Sequence, residues 1–73
     1  MVKALMLILL EAKTFEEANK IVKIPGVRDG FLVFGHYDYA AFVEVPSLEK
    51  VSQIAEKVQK LRFVRYVETL IER

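Results

Sequence analysis

The chain has 73 residues, with eleven Lys and Arg against ten Asp and Glu, one His and no Cys, for a formal net charge of +1. That is room for a single domain over residues 1–73, with no disulfide framework, no cysteine zinc site and no basic footprint for nucleic acid or anionic lipid. A domain this small buries only about 60% of the surface its unfolded chain exposes, so it is marginal without a partner.

Residues 2–12 are dense in Leu, Ile and Met without helical periodicity, which predicts a first strand. Its apolar stretch, residues 4–10, stops at Glu11, too short to cross a membrane, and no small-residue cleavage site follows it. We therefore read the protein as soluble and cytoplasmic. Thr14-Phe15-Glu16-Glu17 predicts a capping box, with Thr14 at the N-cap and Glu17 three residues on. Phe15, Ala18, Ile21 and Val22 then recur at helical spacing until Pro25-Gly26 ends the helix. Residues 27–35 and 38–45 read as strands. Pro46-Ser47 opens a second helix whose Leu48, Val51, Ile54, Ala55, Val58 and Leu61 form one apolar stripe. Residues 63–71 complete the series as a fourth strand.

The order is βαββαβ, and the halves resemble each other. Glu11-Ala12-Lys13-Thr14-Phe15-Glu16 aligns with Glu44-Val45-Pro46-Ser47-Leu48-Glu49, and Val27-Arg28 with Val64-Arg65. Two such halves make the ferredoxin-like α+β fold, a four-stranded antiparallel sheet with two helices on one face. Two helices cover one face only, so an isolated monomer calls for alternating strands. Residues 4–10 and 31–34 do not alternate. Both sheet faces are thus apolar, and the helix-free one needs a cover. The simplest cover is a second copy, giving a homodimer or a higher homo-oligomer.

The only histidine and two of the three tyrosines gather in Gly35-His36-Tyr37-Asp38-Tyr39, between two apolar runs. This is the expected tip of a β-hairpin, where a glycine frees the backbone and where small domains keep functional residues. Turn chemistry alone also accounts for Gly35 and Asp38. If the strand continues through them, Tyr37 and Tyr39 point to opposite sides. His36 and Asp38 make no metal site, which needs three or four ligands. Glu11 and Glu44 close the two central strands, taken as parallel, at equivalent ends. Neither has a nucleophile, a histidine or an oxyanion motif nearby, and strand-end solvation accounts for them. With no phosphate loop and no Ser-His-Asp arrangement, the chain reads as a binding protein without catalysis or cofactor.

Ile24-Pro25-Gly26-Val27, Gly35-x-Tyr37-Asp38-Tyr39 and Val64…Glu68-Thr69-Leu70-Ile71 together resemble the effector (RAM) domain of the Lrp/AsnC transcription regulators, over essentially the whole chain. The resemblance implies the same βαββαβ fold, pairing of subunits through their sheets, and a free amino acid bound between subunits. It implicates Gly35, Tyr37 and Asp38 of the loop and Thr69 on the fourth strand; His36, which the pattern does not fix, is counted with the ligand-binding residues as one that would tune specificity or else sit in water. Loop N–H groups and the Thr69 hydroxyl would meet the ligand carboxylate, and Asp38 its ammonium. Val67 departs from the pattern: ligand-binding relatives often carry a hydroxyl there. No helix-turn-helix segment has a counterpart, so the resemblance implies a stand-alone effector domain with no direct DNA contact and no membrane, acting through assembly. A structural alternative is assembly with full-length Lrp/AsnC paralogues without ligand. An RNA-recognition motif shares the element order, and Ala41-Phe42-Val43-Glu44-Val45 resembles the tail of its signature. Asp38, Tyr39 and Ala40 stand where that signature needs a basic residue, a glycine and an aromatic.

Overall fold

A computed structural model describes residues 1–12 and 14–73. The elements are β1 (Val2–Leu10), a 3₁₀ turn (Phe15–Ala18) running into α1 (Asn19–Val22), β2 (Val27–Leu32), β3 (Tyr39–Val45), α2 (Leu48–Gln59) and β4 (Val64–Ile71). The sheet order is β2-β3-β1-β4 with every neighbouring pair antiparallel, the ferredoxin-like arrangement expected of two interleaved βαβ halves. The two central strands, β1 and β3, are therefore antiparallel, not parallel. Glu44 faces Lys3 at the start of β1, while Glu11 follows the end of β1. The two carboxylates sit at opposite ends of the sheet, so they are no pair.

Local chemistry explains where the elements begin and end. Thr14 does not close a capping box. Its hydroxyl donates back to the Glu11 carbonyl at 2.5 Å, and no side chain caps the helix start. The Glu17 N–H bonds to the Thr14 carbonyl three residues back, so the helix enters as a tighter 3₁₀ turn and α1 is one turn long. In α2 the cap does form: the Ser47 hydroxyl accepts from the Lys50 N–H at 3.3 Å. Val51, Ile54 and Val58 of α2 are buried, whereas Leu48, expected in the stripe, projects into solvent from the first turn. Gln59, at the end of α2, donates to the Arg65 carbonyl and accepts from the Val67 N–H. Its amide thereby pairs with part of the otherwise open edge of β4.

Successive side chains on a strand take opposite faces, and cross-strand neighbours share one. Ala4, Met6, Ile8 and Leu10 of β1 are buried beneath the helices with Ile21, Tyr39, Ala41 and Val43. Leu5, Leu7 and Leu9 take the other face. There Leu5 stands between Phe42 and Leu70, Leu7 between Ala40 and Glu68, and Leu9 beside Tyr66. Phe42, Tyr66 and Leu70 are each nearly half exposed. The helix-free face is thus apolar at its centre and uncovered within the chain.

Gly26 shows how tightly the α1–β2 turn is packed on the other side. Its φ is +101°, and a Cβ there would lie 2.6 Å from Ile54 Cδ1 and 2.8 Å from Val45 Cγ1. Gly26→Ala combines left-handed strain with a clash into the core, and is expected to cost about 2 kcal/mol or more. A shift in the urea midpoint measures it.

Candidate functional site

The β2–β3 connection, residues 33–38, is fastened at three points. The Val33 N–H donates to the Asp38 carbonyl at 2.9 Å, closing the loop on itself. Asp38 then ties the loop to β1: its N–H donates to the Ile8 carbonyl, and its Oδ2 accepts from the Leu10 N–H, each at 2.9 Å. The carboxylate replaces a missing strand partner at the end of β1. The third tie runs across the sheet, where the Tyr37 hydroxyl donates to the Glu68 carboxylate of β4. The His36 ring meets the Tyr37 ring edge-on at 5.0 Å between centroids. Gly35 has φ +126° with open space where a Cβ would stand, a conformation that glycine adopts without strain. The N–H groups of Gly35, His36 and Tyr37 make no hydrogen bond to the described residues.

Both strands stop short of the loop, β2 at Leu32 and β3 at Tyr39, three residues earlier and one later than the sequence pattern suggests. The two tyrosines part as expected. Tyr39 enters the core beneath the helices, its ring against Gly30, where an added Cβ would lie 2.8 Å from the ring. Burial pushes its phenol pKa up, with the charge of Asp29 adding to the effect, and its hydroxyl has no partner among the described residues. Tyr37 instead reaches the helix-free side.

Of the residues singled out in sequence, Gly35, His36, Tyr37 and Asp38 lie together. Thr69 does not join them within one chain. It stands opposite Met6 on the helix side of β4, whereas Asp38 meets β1 at Ile8 and Leu10 from the β3 side. Val67 shares the Thr69 face, opposite Ile8. The residue that β4 does bring to the loop is Glu68, which sequence reasoning passed over. Its signal was a lone carboxylate alternating with Tyr66 and Leu70.

Beside Asp38 lies a cleft of about 320 Å³ lined by Phe15, Leu32, Val33 and Phe34. Phe34 is fully exposed, Phe15 and Leu32 about half, so three large apolar side chains surround one carboxylate. Two larger depressions contain none of the loop residues: one of about 650 Å³ lies beside the segment after α2, and one of about 510 Å³ lies beside α2 itself. Among the described residues there is no cluster of three or more His, Cys, Asp or Glu that would hold a metal ion. No helix is long and apolar enough to cross a membrane.

This fold, with a polar loop fastened at one end of the sheet, is ferredoxin-like. Residues 3–72 match the family model of the Lrp/AsnC ligand binding domain, and the chain belongs to that family. Among solved structures, FFRP-DM1 is 31% identical with a TM-score of 0.92, each chain covered over its full length. The hypothetical protein PHS023 from Pyrococcus horikoshii is 31% identical with a TM-score of 0.89, over 100% of this chain and 90% of its own. The transcriptional regulator NMB0573 from Neisseria meningitidis, solved as a complex with L-Met, shares the fold at 18% identity and a TM-score of 0.86. The match covers 99% of this chain but 49% of that regulator. No protein of curated function matches the chain.

The Tyr37 phenol is pushed up from 10.0 to about 12, first by its hydrogen bond to Glu68, then by lost solvent and by the carboxylate's charge. Because the folded value lies above the unfolded one, the stabilisation is complete below pH 10 and is lost as pH rises towards 12. The stability difference between wild type and Tyr37→Phe should therefore be constant from pH 7 to about 9 and shrink above about 10. Urea unfolding at a series of pH values measures it.

Proposed function

We propose that this effector domain self-assembles through its helix-free sheet face and binds a free amino acid at the 33–38 loop. The supporting observation is the juxtaposition at one end of the sheet of loop N–H groups without partners among the described residues, the Asp38 carboxylate and the apolar cleft of Phe15, Leu32, Val33 and Phe34. An amino acid needs donors for its carboxylate and an acceptor for its ammonium. The loop around Gly35 and His36 supplies the first and the remaining Asp38 oxygen the second. The cleft, at about 320 Å³, suits a large apolar side chain. Thr69 lies on the helix side of β4, so on this reading it would reach such a ligand only from a neighbour in an oligomer larger than the sheet-paired dimer. The L-Met carried by NMB0573, an apolar amino acid on the same fold, is consistent with this choice.

The full coverage of FFRP-DM1 supports a domain of this size acting as a unit. It would work in the cytoplasm by binding and assembly, without catalysis, cofactor or direct DNA contact. Its output would be mixed assembly with full-length Lrp/AsnC paralogues. Val67, apolar where relatives often carry a hydroxyl, favours a second reading in which the domain serves as an assembly partner without ligand.

Calorimetry against the twenty common amino acids separates the two readings. Selective binding of a large apolar amino acid is expected, and silence across the panel with a stable oligomer would select the second reading. Asp38→Asn keeps an acceptor for the Leu10 N–H but removes the charge, so affinity should fall at least about tenfold with the fold intact. Unchanged affinity would remove Asp38 from the site.

The two faces of β1 predict different failures. Leu7→Glu places a charge on the helix-free face and should split the assembly into folded monomers. Ile8→Glu buries the charge among fully enclosed side chains and should abolish folding. Light scattering and circular dichroism distinguish these outcomes.

A further inference from the structure

Glu68 is an anomaly on the helix-free face. It stands opposite Leu7, between Tyr66 and Leu70 along β4, with Leu5 and Leu9 diagonal to it in the register. The ion pairs of the described residues join Lys20 to Glu17, Lys60 to Glu56 and Arg65 to Glu11, so Glu68 has no cationic partner among them. Its one described hydrogen bond comes from the Tyr37 hydroxyl. A half-buried carboxylate in water tolerates this. Once a second copy covers the face, water is stripped from Glu68, and a charge buried without a partner opposes association.

We propose that Tyr37 couples the 33–38 loop to self-association, because its hydroxyl is the donor that allows Glu68 to be buried between two copies. The loop that holds Asp38 beside the cleft also supplies this donor, one residue away. Any displacement of the loop that withdraws Tyr37 therefore weakens assembly, and assembly in turn holds the loop in place. By reciprocity, whatever binds the loop in this position tightens the oligomer to the same degree. The coupling of loop to assembly rests on the Tyr37–Glu68 geometry and on the sheet-face assembly proposed above; its use by an amino acid rests on the ligand-binding reading.

The test is a double-mutant cycle on the self-association constant, measured by sedimentation equilibrium for wild type, Tyr37→Phe, Glu68→Leu and the double variant. Tyr37→Phe should weaken association at least about tenfold, since it strands a charge in the interface. With the charge also removed, the double variant should return to within about threefold of Glu68→Leu alone. Circular dichroism on each variant separates loss of assembly from loss of fold. If Tyr37→Phe does not fold, Glu68→Gln provides the second arm. It should leave association within about threefold of wild type, because a neutral amide is buried at far lower cost. A wild type that stays monomeric, an unchanged constant in Tyr37→Phe, or an equal loss in the Glu68→Leu background would each overturn the proposal. The ligand side is read separately, from amino-acid affinity below and above the association midpoint. Affinity should rise with assembly in wild type, and by a smaller factor in Tyr37→Phe. Affinity independent of assembly in wild type would overturn the reciprocal link, whereas no amino-acid binding at all would defeat the ligand reading while leaving the association cycle to stand or fall alone.

Discussion

A four-stranded sheet has two faces, and this chain has helices for only one of them. β1 turns that shortage into a constraint, because it is apolar on both sides. Met6 and Ile8 are fully buried under the helices, while Leu5, Leu7 and Leu9 line the open face with Phe42 and Leu70. Burial of apolar surface is the main favourable term in folding, and a domain of this size has little of it to leave unused. The helix layer is thin as well, since α1 makes a single turn after its 3₁₀ entry. Covering the open face with a second copy adds apolar burial that the helices do not supply.

The loop after β2 lies where both halves of this design meet. Asp38 extends the β3 ladder onto β1, through the Ile8 carbonyl and then through its carboxylate to the Leu10 N–H. Its neighbour Tyr37 crosses to the other side of the sheet and finds Glu68. Two adjacent residues therefore serve two surfaces: the apolar cleft beside Phe15 and Phe34, and the face offered to another copy. On the proposed function, ligand binding and assembly need no long path between them, because one short segment belongs to both.

Much of the fold was legible because it rests on local periodicity. The period-3.6 stripe of α2, the unbroken apolar runs and the Pro25-Gly26 and Pro46-Ser47 punctuation were enough for the βαββαβ order. What failed depended on atoms far apart in sequence or on competition for one group. The Thr14 hydroxyl had two acceptable partners and took the Glu11 carbonyl over the helix start. The direction of the central strands is set by how the two halves interleave, which no window of residues records. The site divided in the same way. The hairpin cluster announced itself by composition, but the faces of Thr69 and Glu68 are settled by the β1–β4 register. A shift of one residue there would exchange them. Glu68 is the clearest example, a charge that is unremarkable in sequence and conspicuous only once its strand neighbours are known.

The loop can couple to assembly only if the open face is buried between copies, and the solution mass of the wild-type protein tests this most directly. Sedimentation equilibrium through the micromolar range should give a dimer or a larger even multiple of the 8.4 kDa chain. A stable, soluble species at 8.4 kDa across that range would contradict it.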